Sequence, residues 1–402
     1  MNIEGCIRSC GVTFRLLVAI VLATLCATAE SAMEKKPPIR VGITVSLTGE
    51  YAVPGKDELN GARMWATDLN ERGALLGRKV EIVYYDDKSD AATSARLYER
   101  LINEDRVDLL LGPYSSELTL AASTVAEKHN FPMVATGAAD DHIWARGYKN
   151  IFGIDAPARD YMKLVIRSAA DAGLKTIAMV YADSAFPREV AAGVRDLAAR
   201  HGMELVFDRI YSQDTRDFTA MLRQIKAENP DLVVGGTYLD DSIAIVRAAK
   251  QVGLAPKAIA FTVGPALKEF GNALGPDANG VLGVVSWLRS AHLPMARDFS
   301  YRYKQKHGHN PGPPVAYGYG GGQVLEAAVR LAGTLDRDAV REQLRTMKFR
   351  SLLGNYDVDE SGKQVGKSIF VLQWQNGYRL LVLPRLMRET PIQYPFKPWS
   401  ER

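Results

Sequence analysis

From residue 39 onward, short β-branched runs alternate with longer amphipathic runs, and after residue 155 the alternation starts again. No other feature of the sequence restricts the fold as much. The run at 39–45 precedes a helical pattern at 55–72, where Leu59, Ala62, Trp65, Ala66 and Leu69 recur at three- and four-residue spacing. Strand runs at 80–85, 107–111 and 132–136 follow, with helical runs at 91–104 and 118–128. The second series has strands at 176–181, 205–211, 231–235 and 258–262, and helices at 188–201, 218–228 and 242–252. Alternation at βαβ spacing implies parallel sheets covered on both faces. The expected fold class is α/β, with two successive units of similar size.

The stretch 286–402 is too short and irregular for a third unit. Helices are expected at 297–307, 322–333 and 338–347, and a strand at 368–375. The simplest arrangement returns this region to both units, which gives several crossings and a cleft that can open. Residues 384–402 carry four prolines and read as an extended tail.

The 402 residues are enough for two cores. A net charge of +4, with basic and acidic residues interspersed, excludes a nucleic-acid-binding stripe. The N-terminus reads as a secretory signal segment over 1–32. Arg8 and Arg15 precede an apolar run at 16–25, and small residues follow to Ala32. Cys6, Cys10 and Cys26 all lie in it, so the mature chain would carry no thiol and need no disulfide.

Catalytic patterns are missing. No G-x-S-x-G surrounds Ser115 or Ser116, and no H-E-x-x-H occurs. His307 and His309 stand beside Asn310 and Pro311 in a polar stretch that reads as a solvated loop. The run YGYGGG at 317–322 lacks dinucleotide-binding spacing and a phosphate-loop lysine, and reads as a close-packed helix entry. Asp86 and Asp87 end a strand, where carboxylates form turns. The expectation is a protein that is not an enzyme, with no cofactor and no metal.

Binding remains. Ligands of open α/β sheets lie at the carboxyl ends of the strands. The loops there are 46–51, 112–116 and 136–139, then 183–186, 237–241 and 263–264. The segment GPYSSELTLA at 112–121 places Ser115 and Ser116 where a strand hands over to a helix. Free amides and the helix dipole favour an anion there. One serine can cap the helix while the other faces a ligand.

In the order and spacing of several segments, the chain resembles the type I periplasmic solute-binding proteins of ABC importers, in their leucine/isoleucine/valine-binding (amino-acid/amide) branch. The segments are 39–49, NGAR at 60–63, YDD at 85–87, GPYSS at 112–116, RGY at 146–148, 218–230, VGL at 252–254 and 271–280. The resemblance implies two Rossmann-like lobes of the Venus-flytrap kind. One would be 39–155 with 287–364, the other 156–286 with 365–383, and 384–402 would be the tail. By motif match Ser116 would hold a ligand carboxylate, with Ser115 and Tyr114 beside it. Thr136, Gly137 and Ala139 would add contacts. Phe186 and Tyr238 would supply aromatics from the second lobe. Val263 stands where amino-acid binders commonly place an acid for the ligand ammonium, and Ala139 where branched-chain binders often have Thr. Asp240 or Asp241 would be the substitute acid. The implied function is solute binding for an ABC importer, with an amino acid, amide or related small carboxylate held between the lobes. The expected partners are that solute and an inner-membrane ABC permease, with no nucleic acid, and the expected form is a periplasmic monomer. The alternative is a sensory or accessory binding protein for a small carboxylate, aromatic or otherwise.

Overall fold

Residues 36–395 and 397–402 are described by a computed structural model. The expected signal segment, with all three cysteines, lies outside the described residues. One sheet runs β2-β1-β3-β4-β5, from β1 (Ile39–Val45), β2 (Val80–Asp86), β3 (Leu109–Leu111), β4 (Met133–Ala135) and β5 (Ile151–Gly153). All its pairings are parallel. Helices α1 (Ala52–Glu71), α2 (Ala91–Asn103) and α3 (Ser116–Lys128) connect its strands, and a short α4 (His142–Ala145) precedes β5.

The second sheet runs β14-β13-β10-β9-β8-β6-β7. Its parallel part comprises β6 (Thr176–Ala182), β7 (Glu204–Tyr211), β8 (Leu232–Gly236), β9 (Ala258–Phe261) and β10 (Leu282–Val285). Helix α5 (Lys163–Asp171) leads into it, and α6 (Ala185–Arg200), α7 (Thr219–Glu228), α8 (Leu239–Val252) and α9 (Lys268–Leu274) link its strands. All residues of β3, β4, β8 and β9 are buried, which is why they read as continuous apolar runs.

After β10 the chain returns to the first lobe through α10 (Ala296–His307), α11 (Pro313–Ala332), α12 (Arg337–Thr346) and the hairpin β11 (Phe349–Ser351)–β12 (Gly354–Tyr356). It then crosses back as β13 (Phe370–Gln375) and β14 (Tyr378–Leu383), antiparallel at the edge of the second sheet. The lobes are thus joined at three crossings, after β5, β10 and β12. The tail is mostly irregular but docked. Trp399 Nε1 donates to the Leu254 carbonyl at 2.8 Å, and Gln375 Nε2 to that of Pro391 at 3.0 Å.

One element differs clearly from the expectation. Helix α11 begins at Pro313, so the glycine run at 317–322 lies inside the helix rather than at its entry. A helical run rich in glycine is weak by propensity, and tertiary packing decides the matter. A Cβ on Gly61 of α1 would stand 1.9 Å from the Val315 carbonyl oxygen. One on Gly318 would stand 2.0 Å from the Glu58 carbonyl, and one on Gly322 2.1 Å from the Trp65 indole. The two backbones therefore touch, and only glycine permits it. Fully buried Trp65 closes the contact, its Nε1 donating to Glu326 Oε2 at 3.2 Å. The expected turn role of Asp86 and Asp87 is also visible: Asp86 accepts from the Lys88 amide and Asp87 from the Ser89 amide.

Gly61→Ala should destabilise the protein by about 1–3 kcal/mol through overpacking. Calorimetric melting checks this, with Gly73→Ala as a control for backbone strain alone, because no atom crowds Gly73.

Candidate functional site

Helix α3 starts at the carboxyl edge of the first sheet. Ser115 is its N-cap, and the Ser115 Oγ accepts from the Leu118 amide at 3.2 Å. Ser115 has φ 91°, a region that disfavours any side chain. Such a pose costs on the order of 1–3 kcal/mol, and a serine cap contributes only about 1 kcal/mol. Capping alone does not offset the strain. The pose is held by the Ser115 amide, which donates to the Gly137 carbonyl at 3.2 Å.

Ser116 is the first helical residue. Its Oγ accepts from the Ala139 amide at 3.0 Å and the Asp140 amide at 3.1 Å. With its acceptor side filled, the hydroxyl has its own proton left to donate. The first helical hydrogen bond runs from the Thr119 amide to the Ser115 carbonyl, so the Ser116 and Glu117 amides precede the helical ladder. A donor-rich helix N-terminus results, suited to an anion.

It faces a small cavity between the lobes, about 40 Å³ in volume. Tyr114, Ser115, Ser116, Gly137 and Ala139 form the first-lobe wall. The second lobe contributes Tyr161, Phe186, Tyr238, Val263, Ala266 and Leu267, with Val284 and Val285 from β10. Helix α11 adds Pro313, Pro314 and Tyr317. The rings interlock: Tyr161 meets Phe186 edge-on at 5.0 Å, and Tyr51 of the first lobe packs on Tyr238 of the second at 4.9 Å. The second of these contacts bridges the cleft, which is closed. The Tyr238 hydroxyl is buried beside those of Tyr51 and Ser184 without a well-formed hydrogen bond.

Asp155 also lines the cavity and is 4% exposed. It follows β5 at the first crossing. Its Oδ2 accepts from the Tyr161 hydroxyl at 2.8 Å and its Oδ1 from the Ala156 amide at 2.7 Å. Burial pushes its carboxyl above the ordinary range, against the hydrogen bonds of Ser286 and Tyr161.

Beneath the anchor, the Thr136 hydroxyl lies within hydrogen-bond distance of the fully buried Glu58 carboxyl of α1 and of the Gly112 carbonyl, 2.9 Å away, and its single proton is shared between them. Burial pushes Glu58 up to about 8. This network braces the ends of β3 and β4. At the cleft edge, His142 Nδ1 lies 2.8 Å from Asp140 Oδ1 of its own lobe and 3.8 Å from Glu189 Oε2 of α6. Glu189 also accepts from Arg159 Nη1 at 3.0 Å. Asp140, His142 and Glu189 bring three atoms of metal-ligating type within 4.8 Å of one another, and Arg159 pairs with Glu189 beside them.

Of the residues expected at the site, Tyr114, Ser115, Ser116, Gly137, Ala139, Phe186, Tyr238 and Val263 meet around the cavity. Thr136 and Asp240 do not. The Thr136 hydroxyl is consumed by Glu58 and Gly112, and Asp240 is exposed on α8. Asp241 is turned to the Tyr211 hydroxyl, 2.6 Å away. Among the described residues the acid in the wall is Asp155, which is not one of those expected from sequence. Its signal was an acid ending the apolar run 151–154, the same strand-end position as the other loops.

The periplasmic binding protein family matches residues 38–379, and the chain belongs to it. The Leu/Ile/Val-binding protein homolog 7 of Brucella melitensis is 26% identical over 401 residues, covering 94% of this chain and 99% of that one. A leucine-binding protein of Thermotoga maritima superposes with a TM-score of 0.79 at 24% identity, over 85% of this chain and 97% of that one. A solute-binding protein of an ABC transporter from Rhodopseudomonas palustris, in complex with benzoate, gives 0.77 at 19% identity, over 90% and 98%. The fold is thus that of type I periplasmic binding proteins, and these relatives are solute-binding proteins, not enzymes.

The Asp140 hydrogen bond raises the pKa of His142 above the ordinary 6.5, assisted by Glu189 and Asp141 and opposed by partial burial. The imidazolium's contribution is full below 6.5 and disappears as pH rises through the higher folded value. Melting temperature should therefore fall over that window. A His142→Gln protein should lack this component, as paired thermal scans across the window would show.

Proposed function

We propose that this protein is the extracytoplasmic solute receptor of an ABC importer. A small carboxylate is held between its lobes and delivered to an inner-membrane permease. Residues 1–32 act as a cleaved export signal, and the mature chain works as a monomer in the periplasm.

One observation carries the proposal: Ser115 and Ser116, at the start of α3, aim a donor-rich helix end into a closed inter-lobe cavity. Ser115 supplies the cap and a strained backbone, and Ser116 supplies a hydroxyl proton with no protein acceptor assigned to it. The names of the relatives point the same way. Leucine and benzoate differ in almost everything except the carboxylate. Tyr114, Phe186 and Tyr238 would enclose the rest of the ligand, and Val263 and Leu267 give its second-lobe side an apolar surface.

Thermal-shift screening of the mature protein against amino acids, amides, aliphatic acids and aromatic acids tests the reading. A ligand at a hundred times its Kd should stabilise by about 2.7 kcal/mol. Failure of every small solute to raise the melting temperature would count against a solute receptor. For the solute found, Ser116→Ala should weaken binding by about 1–3 kcal/mol in calorimetry, the cost of leaving a charged ligand group without its donor. Unchanged affinity would remove Ser116 from the site.

A further inference from the structure

We propose that Asp155 is a specificity-determining residue of the cavity, selecting carboxylate ligands that carry a cationic, N–H-bearing nitrogen over those that do not. This rests on the solute-receptor reading above and adds to it the charge pattern of the ligand.

Three observations converge. First, Asp155 is almost completely buried in the cavity wall, and the groups that donate to it are neutral: the Tyr161 hydroxyl, the Ala156 amide and the Ser286 hydroxyl. A carboxylate offers about four acceptor positions, so these donors leave room for another. Among the described residues, none that lines the cavity is a lysine, arginine or histidine. The cation acting on Asp155 from outside the wall is Lys367. Its ammonium is committed to the carbonyls of Leu353 at 2.6 Å and Asn355 at 3.4 Å, and burial pulls it down to about 7. A buried carboxylate without a paired cation is costly, and a cationic ligand group removes that cost.

Second, the cavity is lined by Tyr114, Tyr161, Phe186, Tyr238 and Tyr317. Aromatic faces attract cations and do nothing for a second anion. Third, the residues next to the site are acidic. Glu50 lies in the negative field of Asp241, Glu117 and Asp240, offset in part by Arg216. Such a field favours the approach of a positively charged group.

The wall positions considered from sequence, Val263 and Asp240, do not supply this charge: one is apolar and the other is exposed. Asp155 reaches the cavity from the crossing between the lobes. The site then has two poles, the α3 N-terminus for a carboxylate and Asp155 for a cation.

The test uses matched pairs of probes with and without an ammonium: L-leucine against 4-methylpentanoate, and 4-(aminomethyl)benzoate against 4-methylbenzoate. Each is titrated calorimetrically into the wild-type mature protein and into Asp155→Asn, which keeps the side-chain shape. Thermal melting without ligand verifies that the variant is folded. The expected result is that within at least one pair the ammonium-bearing member binds wild type at least tenfold more tightly. Asp155→Asn should shrink that preference at least tenfold. A wild-type protein that binds the ammonium-free members equally well or better overturns the assignment. So does a preference that Asp155→Asn leaves intact. Silence from all four probes and from the broader solute screen would instead strike the solute-receptor reading, so the two failures are told apart.

Discussion

The contact between α1 and α11 is the constraint on which the rest of the molecule depends. Two helices meet backbone to backbone through Gly61, Gly318 and Gly322, with Trp65 closing the gap. That contact pins the segment returning after β10 onto the first lobe. It also orients α11, whose N-terminal turns bring Pro313, Pro314 and Tyr317 to the cavity. The same α1 carries Glu58, which braces Thr136 and the end of β3 beneath the serine anchor. One helix pair therefore sets the frame and the floor of the site.

Much of this was legible in the sequence because parallel strands buried on both faces leave unmistakable apolar runs, and because helices between them keep a 3.6-residue period. Strands β1, β6 and β9 and helices α2 and α7 were found within about two residues of their ends, the usual precision at element boundaries. Three-residue strands such as β5, β11 and β12 leave too short a pattern to see. Helix α11 was shortened for a physical reason: its glycines argue against a helix locally, and only the opposing glycine of α1 explains them. That partner lies some 250 residues away in sequence, where no local rule can reach.

The site was legible to the same degree and for the same kind of reason. Loops at the carboxyl ends of strands must converge in an open α/β sheet, so position alone singles out 112–116, 136–139, 183–186 and 237–241, and the family resemblance singles out Ser116, Phe186 and Tyr238 within them. Position says nothing about where a side chain turns. The Thr136 hydroxyl is engaged by buried Glu58 and the Gly112 carbonyl rather than by the cavity. Asp155 was missed because β5 itself was missed, and with it the strand end that delivers a carboxylate into the cleft.

The crossing that carries Asp155 belongs to neither sheet. Its side chain is held by a tyrosine of the second lobe, while its backbone continues a strand of the first. Helix pairs that tolerate only glycine are frozen against change, whereas the Asp155 side chain takes no part in a strand pairing or in the contact between α1 and α11. Across a lineage, the charge of the accepted solute could thus be rewritten by one codon while the surrounding architecture stood still.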